Sequence, residues 1–554
     1  MKVLQGIGAS PGIAIGRLFF FMGAIHPVDR QLIEDPPAEI ERFEVARQAS
    51  IDSLHQIYER ALEEIGPKDS AIFQIHAMLL DDLDYVASVT QIIQEEHVNA
   101  EYAVYQTAMR LFDVFSSIDD DYMRQRGADV LDISKRLLRT LTGAKEQNLD
   151  EVNGQVIIAA DDLMPSETIR LDQSKALAFV TREGSRHSHT AILARTMGIP
   201  AVVGLEDAFD CLADRVEVIV DGMTGEVCVE PDAETLERYI ARRGQYLAAC
   251  KRLAKLRDQP SITKDGMRVE ITANVGSIGD VEIAVKNGAE GIGLFRSEGL
   301  YLGRNEVPTE GEQFVIYREA LERMPGKRVI IRTLDLGADK RAPCLGLLRE
   351  DNPAMGSRAI RYCLSHPALF CTQLRALLRA SVYGHLALLI PMVTSLEEVH
   401  RTKALIEEIK RDLDNEGIPY ANNYEFGVMI ETPAAAMISD RLAQEVDFFS
   451  VGTNDLTQYT LATDRTNRSL SALYSPRHPA VLGLVRMAVE NGRRHGVWTG
   501  VCGESATDPD LIPVFLSMGV AELSVAPPAI LDVREKVRAL DLTKARLDGR
   551  TKGF

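Results

Sequence analysis

The sequence lacks several features that would point to a particular class of protein. Its seven cysteines form no CxxC pair, and their odd number argues against a disulfide framework. Reduced thiols in a cytoplasm are the simplest interpretation. No stretch approaches ~20 uninterrupted apolar residues, and the N-terminus has no continuous hydrophobic run with a cleavage site, so we expect neither a membrane span nor a signal peptide.

Positive charge is also scarce. Lys and Arg total 62 against 81 Asp and Glu, which leaves a formal net charge of -19. A general nucleic-acid binder would carry a basic footprint, so the composition argues against that class. The acidic balance suits a basic protein partner, but a solvated acidic surface also explains it.

The 554 residues are enough for three or four domains of ~150 residues each. Residues 1–22 and 146–230 hold short apolar runs with glycine turns, which predict strands of one shared α/β unit. The glycine-rich start, GIGASPGIAIG, is neither a P-loop nor a dinucleotide fingerprint. Residues 23–145 carry apolar residues at helical spacing and predict an inserted helical subdomain. Residues 231–260 predict one long charged linker helix that ends near Pro260.

Residues 261–554 have a repeating form. Eight short apolar runs alternate with helical stretches: VEITANV, GIGLFRSE, VIIRTLD, LALLIPMV, FGVMIETP, FFSVGTND, TGVCGES and ELSVAP. Near-continuous apolar strands that alternate with helices predict a parallel sheet. Eight such units in about 290 residues favour a (β/α)8 TIM barrel, typically ~250 residues long, over an open doubly wound sheet. We therefore expect a multidomain α/β protein with a C-terminal barrel.

Polar side chains end most of these apolar runs. The strand ends carry Arg296, Arg332, Glu431, Asn454 with Asp455, and Cys502. In such barrels the functional groups gather at the carboxyl ends of the strands. Converging arginines fit a multiply anionic ligand, and two carboxylates among them favour a hard divalent cation, usually Mg²⁺, beside a substrate phosphate. The barrel thus predicts a small phosphorylated acid held by arginines and Mg²⁺, with structural salt bridges of Glu431 and Asp455 as the alternative.

A second constellation is GSRHSHTAILARTMGIPAVVG. Ser188 is a good N-cap for a helix over TAILARTM, which would place His189 in the first helical turn. Free amide donors and the helix dipole favour a phosphoryl group there, and a neutral imidazole is a nucleophile. A packed or solvated histidine is the alternative for His189, and His187 is expected to be a loop residue.

These residues belong to segments that resemble one known family over the whole chain, in matching order and spacing. The segments are GIGASPGIAIG, DLMPSET, SHTAILAR, GIPAVVG, DGMTGEV, GIGLFRSE, PTEGEQF, IRTLDLGADK, NPAMGSRAIR, ETPAA, VGTNDLTQYTLATDR and CGESA. The chain resembles the phosphoenolpyruvate–protein phosphotransferases, Enzyme I of the bacterial sugar phosphotransferase system.

The resemblance implies a role for each matching residue. His189 matches the phosphohistidine, and Thr168 matches a hydroxyl beside it. Glu431 and Asp455 match Mg²⁺ ligands, and Cys502 matches the general acid that converts the enolate to pyruvate; an inert buried thiol is its structural alternative. The residues that match contacts to substrate phosphate and carboxylate are Arg296, Arg332, Arg358, Asn454 and Arg465.

The resemblance also implies a reaction and partners. Phosphoenolpyruvate, bound with Mg²⁺ in the barrel, would phosphorylate His189, and the helical subdomain would bind the phosphocarrier protein HPr. A hinge at residues 231–260 would let His189 meet both sites, and the barrel would form a homodimer. The chain departs from common family residues at His187, Gly299, Ser357 and Thr507, which bears on rate and partner more than on reaction class.

Three alternatives stay open at the level of sequence. A pyruvate-phosphate dikinase or phosphoenolpyruvate synthase shares the histidine and barrel motifs but needs an additional nucleotide-binding domain, for which the first 150 residues leave no room. A non-enzymatic regulator that responds to phosphoenolpyruvate would not need its intact catalytic groups. A paralogue in a nitrogen-type regulatory phosphorelay would differ in its carrier, and the absence of a preceding sensor domain favours the sugar system.

Overall fold

The computed structural model describes residues 1–20, 28–64, 67–117, 121–143, 154–161, 163, 175–185, 188–213, 215–338, 342–348, 350–465, 467–470 and 472–543. The chain divides into two units, Met1–Ala248 and Ala249–Phe554. In the part of the chain that is described, no helix combines the length and apolarity needed to cross a membrane.

One mixed sheet joins the beginning of the chain to residues far downstream. Its strands are β1 (Lys2–Gln5), β2 (Ile7–Ser10), β3 (Ile13–Phe20), β4 (Val156–Ala160), β5 (Ala176–Thr181), β6 (Ala201–Val203), β7 (Glu217–Asp221) and β8 (Glu226–Val229), in the order β1-β8-β7-β3-β4-β5-β6-β2. Strands β3 to β6 pair in parallel, and the remaining pairs are antiparallel. The predicted α/β unit built from both segments is confirmed.

A set of helices lies between β3 and β4 in the chain. They are α1 (Pro36–Glu64), α2 (Pro67–Leu80), α3 (Leu83–Glu96), α4 (Ala100–Ser117) and α5 (Asp121–Thr142). Their apolar faces form a core of their own around Phe43, Leu54 and Val89. The inserted helical region is therefore confirmed. In the sheet unit, α6 (His189–Met197) follows β5.

The linker helix, α7 (Ala233–Ala254), is shorter than predicted. It ends six residues before Pro260, and the following residues form turns. Beyond its end, the buried guanidinium of Arg534 donates to the carbonyls of Leu256 at 3.2 Å and Arg257 at 2.7 Å. These carbonyls therefore have side-chain partners and do not need a continued helix.

Unit two contains the predicted barrel. Its strands are β9 (Glu270–Val275), β10 (Ile292–Arg296), β11 (Arg328–Arg332), β12 (His385–Ile390), β13 (Glu425–Ile430), β14 (Phe448–Val451), β15 (Trp498–Val501) and β16 (Glu522–Val525), and they close into a ring. All neighbours pair in parallel. Each strand overlaps one of the eight apolar runs, so the barrel is confirmed.

Helices follow the barrel strands and cover them from outside. They are α8 (Ile278–Lys286), α9 (Glu310–Glu322), α10 (Ala359–Ser365), α11 (Pro367–Ala380), α12 (Leu396–Glu416), α13 (Pro433–Met437), α14 (Ser439–Leu442), α15 (Thr453–Leu461), α16 (Pro479–Arg494), α17 (Leu511–Met518) and α18 (Ile530–Ala539). Capping boxes define the start of two of them, through Thr309 with Glu312 and Ser395 with Glu398.

The amino end of the barrel holds a packed charge cluster. The Arg328 guanidinium lies 2.8 Å from a Glu270 oxygen, 2.9 Å from a Glu425 oxygen and 3.9 Å from a Glu522 oxygen. It also lies 4.3 Å from the ring centre of Trp498, whose indole N–H donates to Glu425. Burial raises the pKa of Glu522 to about 8, although Arg328 opposes the shift.

Candidate active site

The carboxyl ends of the barrel strands surround a cavity of about 420 Å³. The barrel residues predicted from the sequence all line it: Arg296, Arg332, Arg358, Glu431, Asn454, Asp455, Arg465 and Cys502. Because parallel strands end at the same edge of a barrel, side chains up to 206 positions apart in the chain (Arg296 to Cys502) meet here.

Strand ends position most of these side chains. Arg296 and Arg332 are the last residues of β10 and β11. Glu431 follows β13, and Cys502 follows β15. Asn454 and Asp455 lie in the first turn of α15, Arg358 directly precedes α10, and Arg465 lies in the loop after α15.

Two carboxylates that the sequence analysis did not select hold the arginines in place. Glu298 accepts a hydrogen bond from Arg332 at 2.6 Å. Asp335 bridges two guanidinium groups, at 3.0 Å from Arg332 and 2.7 Å from Arg358. Burial lowers the pKa of Arg332, but the nearby carboxylates outweigh it, and the net shift is upward. Both carboxylates follow strand ends that carry predicted arginines, and this position in the sequence could have identified them as site residues.

Three buried polar atoms at the cavity have no hydrogen-bond partner among the described residues. They are Nε of Arg332, Oε2 of Glu431 and Oδ1 of Asp455. Arg465 approaches the same Asp455 oxygen only to 3.8 Å. Buried polar groups are usually paired, and these three atoms, one donor and two carboxylate oxygens, belong to residues that line one cavity, where a ligand could satisfy them.

The two carboxylates fit a divalent cation. The other oxygen of Glu431 accepts the Met392 N–H at 2.6 Å, which leaves Oε2 toward Gly452. Burial, then the neighbouring carboxylates of Asp335 and Asp455, raise the pKa of Glu431 to about 8, so its ionised form is disfavoured unless a cation lies beside it. Among the described residues, no group of three or more His, Cys, Asp and Glu side chains forms a complete metal site. A pair of carboxylates suits Mg²⁺, which keeps waters and substrate oxygens as further ligands.

Cys502 lies at the bottom of the cavity. Its thiol is 3% exposed and accepts a hydrogen bond from the Ser450 hydroxyl at 3.2 Å. Burial raises the pKa of Cys502 to about 11, and the Ser450 hydrogen bond opposes this shift. The side chain is therefore a protonated thiol at neutral pH, which is the form that a general acid needs.

Asn454 has a fixed amide orientation. Its side-chain oxygen accepts the backbone N–H of Glu504 at 3.1 Å, which links the loops after β14 and β15. Arg358 donates toward the Tyr459 hydroxyl at 3.4 Å, and Tyr459 donates in turn to the carbonyl of Ala354. Tyr459 of α15 thus connects Arg358 to the loop that contains Ala354.

The first unit contains the predicted histidine. His189 is the first residue of α6, and Ser188 is the N-cap, with its hydroxyl accepting the Ala191 N–H at 3.4 Å. The predicted N-cap and helix are confirmed. Thr168 and His187 lie outside the described residues.

The remaining departures from the family pattern lie at or near the barrel cavity. Gly299 lines it, and Thr507 donates to the carbonyl of Glu504, another lining residue. Ser357 directly precedes Arg358, and its N–H donates to Glu350 at 3.0 Å.

The chain combines a TIM barrel, whose mouth is lined by arginines and carboxylates, with an α/β unit that has a histidine at the start of a helix. The sequence comparisons identify the class of enzyme that has these two parts. Three profiles of PEP-utilising enzymes match the chain: the N-terminal part over residues 5–126, the mobile domain over 152–225 and the PEP-binding domain over 250–542. The phosphoenolpyruvate-protein phosphotransferase of Geobacillus stearothermophilus is 44% identical over 539 residues, which cover 97% of this chain and 93% of that protein. The Bacillus subtilis (strain 168) protein of the same name is 43% identical over 98% and 96% of the two chains. The chain belongs to the phosphoenolpyruvate–protein phosphotransferase family and is therefore an enzyme of that kind.

Solved structures show similarity over separate parts. An NMR solution structure of Enzyme I is 36% identical, covers 44% of this chain and 99% of its own, and has a TM-score of 0.37. A citrate lyase from Burkholderia xenovorans LB400 is 17% identical over 52% of this chain and 85% of its own, with a TM-score of 0.35.

Proposed function

We propose that this enzyme transfers the phosphoryl group of phosphoenolpyruvate to its own His189 and then to a histidine of the phosphocarrier protein HPr, as the first step of sugar uptake. The observation that carries the barrel half of this proposal is the unpaired donor on Arg332 beside the unpaired oxygens of Glu431 and Asp455. Together they match a ligand that brings both anionic oxygens and a cation. The comparisons favour neither the nitrogen-type relay nor a non-enzymatic regulator.

The arginines bind the substrate's anionic groups. Arg296, Arg332, Arg358 and Arg465 line one cavity, and planar guanidinium groups match phosphate and carboxylate oxygens bidentately. Glu298 and Asp335 already hold Arg332 and Arg358, so the binding geometry exists before the ligand enters. Asn454 adds a neutral contact to the phosphoryl oxygens.

Glu431 and Asp455 would hold Mg²⁺, which would supply positive charge to offset that of the phosphoryl group. Their two unpaired oxygens support this assignment. The protein's own contribution is to keep both carboxylates buried and fixed: Glu431 is fully buried, and Asp455 is 8% exposed.

In the first transfer, a ring nitrogen of His189 forms a bond to phosphorus as the bond from phosphorus to the enol oxygen breaks. The leaving group is the enolate of pyruvate. The thiol of Cys502 gives its proton to the methylene carbon, and pyruvate results. The pKa of Cys502, raised to about 11 by burial, keeps that proton on sulphur until the carbanion develops.

The helix that His189 begins supports its role as a phosphoryl carrier. The N-terminus of α6 offers backbone N–H donors and a favourable dipole to a phosphoryl group, and Thr168 would add a hydroxyl. We propose that the helical region, residues 23–145, binds HPr and that residues 231–260 form the hinge that lets His189 visit both sites. A cytoplasmic homodimer formed through the barrel completes the proposal.

The test is phosphate transfer with labelled phosphoenolpyruvate and Mg²⁺. The wild type and His187→Ala should each gain one acid-labile phosphate per chain, and His189→Ala should gain none. Addition of purified HPr should move the label to HPr, and removal of Mg²⁺ by EDTA should stop the first transfer.

His187→Ala is the matched control, because it changes a histidine two residues away. If His189→Ala acquires label as the wild type does, and His187→Ala does not, the assignment of the acceptor is wrong. Label that stays on the enzyme in the presence of HPr would reject HPr as the carrier.

A further inference from the structure

A buried amide lies behind the two loops that carry the cavity's arginines. Gln373, in the middle of α11, is completely buried. Its side-chain oxygen accepts the backbone N–H of Leu334 at 2.9 Å, and its NH₂ group donates to the Ser297 hydroxyl at 3.1 Å. One side chain thus binds the loop after β10 and the loop after β11.

The residues that Gln373 holds are neighbours of the site residues. Ser297 lies between Arg296 and Glu298. Leu334 lies between Arg332 and Asp335. The position of each loop determines where its arginine and its carboxylate stand in the cavity.

A second layer of buried hydrogen bonds fixes Gln373 itself. Its NH₂ group also donates to the Tyr317 hydroxyl at 3.0 Å. Tyr317 and Tyr301 both donate to the Gln313 oxygen at 3.1 Å. Gln313 donates in turn to the carbonyl of Pro308 at 3.0 Å. This network connects α9 and α11 to the loop after β10, and each of its side chains is fully buried.

We propose that Gln373 is a positioning residue for phosphoenolpyruvate: it fixes the spacing between the Arg296–Glu298 loop and the Arg332–Asp335 loop. This inference rests on the proposed function, because it assumes that these arginines bind the substrate. The front of the same two loops is joined by the ion pair of Arg332 and Glu298 at 2.6 Å.

The uncharged hydrogen bonds of Gln373 can fix the two loops in a way that the ion pair of Arg332 and Glu298 alone cannot. The front contact uses the guanidinium group of Arg332, which also receives the anionic substrate, so it is not independent of substrate binding. The amide hydrogen bonds of Gln373 carry no charge and do not involve the arginines. They fix the backbone of both loops independently of the guanidinium contacts, so that binding does not require the loops to reorganise.

The experiment compares Gln373→Met with Asn491→Leu. Both remove a buried amide from a barrel helix, and the control's amide donates to Ser439 on α14 at 2.9 Å, away from the arginine loops. For Gln373→Met we expect KM for phosphoenolpyruvate to rise about tenfold with kcat changed less than KM, as expected for a group that orients binding residues. Asn491→Leu should lower the melting temperature by a similar amount and leave KM unchanged.

A third variant separates positioning from general loss of stability. Ser297→Ala removes only the link to the β10 loop and should raise KM less than Gln373→Met does. In the double variant the two effects should be less than additive in KM, because both act through the hydrogen bonds of Gln373. This variant also tests the inference if Gln373→Met does not fold.

The outcomes distinguish this inference from the proposed function. If the wild type forms phosphohistidine from phosphoenolpyruvate but both Gln373→Met and Ser297→Ala keep its KM, the positioning role is wrong and the function stands. Equal increases in KM for Gln373→Met and Asn491→Leu would also reject it. If the wild type shows no transfer from phosphoenolpyruvate, the proposed function itself fails.

Discussion

Both ends of the barrel place an arginine among carboxylates, partly buried at the amino end and buried at the carboxyl end, yet they differ in what surrounds it. At the amino end, Arg328 has Glu270, Glu425 and the ring of Trp498 packed around it. At the carboxyl end, Arg332 has ion pairs with Glu298 and Asp335 but keeps an unpaired Nε beside an open cavity.

The two ends also differ in the surroundings of a buried glutamate whose pKa is raised, Glu522 at the amino end and Glu431 at the carboxyl end. Glu522 at the amino end also has a buried oxygen without a hydrogen-bond partner among the described residues, and burial raises its pKa to about 8. Glu431 at the carboxyl end has a similarly raised pKa, but its free oxygen belongs to the lining of a cavity. A raised carboxyl pKa alone therefore does not mark a binding site. An unpaired atom that faces open space beside it does.

The largest expected effects come from removing each arginine. Arg332→Met should reduce transfer from phosphoenolpyruvate about 100- to 1000-fold, as expected for loss of a positioned cationic donor, and should also destabilise the fold, because the buried Glu298 and Asp335 lose their cation. Arg328→Met should cost about 3 kcal/mol of unfolding free energy with little loss of transfer, because it leaves the buried Glu522 and the partly buried Glu425 without their cation. Transfer kinetics and urea unfolding measure the two effects.

The two substitutions remove the same side chain from opposite ends, so each is the other's control. The comparison breaks if Arg328→Met, assayed where it is fully folded, loses activity as Arg332→Met does. It would break equally if Arg332→Met retained wild-type transfer rates.

The pH dependence of the unfolding free energy tests whether Glu522, at the amino end of the barrel, is protonated in the folded protein. Glu522 has its pKa raised from 4.5 to about 8 in the fold, so its stabilising effect is complete below pH 4.5 and is lost as the pH rises toward 8. Across that window the wild type should lose about 1.4 kcal/mol per pH unit relative to Glu522→Gln. Urea unfolding of both proteins between pH 4.5 and 9 provides the measurement.

Below pH 4.5 the curves of the two proteins should run in parallel, which serves as the internal control. Parallel curves throughout the range would show that Glu522 is not protonated in the folded protein. The amino end would then hold an ionised surplus carboxylate, and the contrast between the ends would be weaker.

The smallest effects should come from a pair of glycines. A Cβ on Gly452 would lie 2.9 Å from both Cβ and Oε2 of Glu431, so Gly452→Ala should displace this carboxylate and reduce transfer at limiting Mg²⁺ about tenfold. Gly500→Ala meets Glu522 instead and should cost about 1–2 kcal/mol of stability with unchanged transfer. A Mg²⁺ titration of initial rates and a thermal melt compare the pair, and equal Mg²⁺ dependence in both variants would contradict the expectation.

Sequence reasoning worked well for the barrel because its signal is local. Each strand is a short apolar run, and the run ends on the side chain that faces the cavity, as Arg296, Arg332 and Glu431 show. Arg358 and Arg465 lie in loops away from any strand end, and only the family resemblance pointed to them. The choice of His189 over His187 came from the same source and stays a prediction.

Other features depend on partners distant in the chain. In the sequence Gln373 resembles an ordinary polar residue of an amphipathic helix. The residues next to it in the chain do not indicate that Ser297 and Leu334 are its hydrogen-bond partners. The Leu256 carbonyl beyond the end of α7 has its partner in Arg534, which follows it by 278 residues. The bridging role of Asp335 likewise requires that two arginines 26 residues apart meet at one carboxylate.

The sequence by itself determined the order of the domains, the barrel and the chemical character of the barrel's mouth. These features could be predicted because strand periodicity, helix periodicity and strand-end residues each depend on a few neighbouring positions in the chain. Only the tertiary structure decided which charges neutralise one another and which atoms stay unpaired. The physical reason is that Arg328 and Arg332, four residues apart on one strand, differ only in what the rest of the barrel packs around them. At the amino end the unpaired oxygen of Glu522 is enclosed by the barrel, whereas at the carboxyl end the unpaired atoms of Arg332, Glu431 and Asp455 belong to residues that line an open cavity.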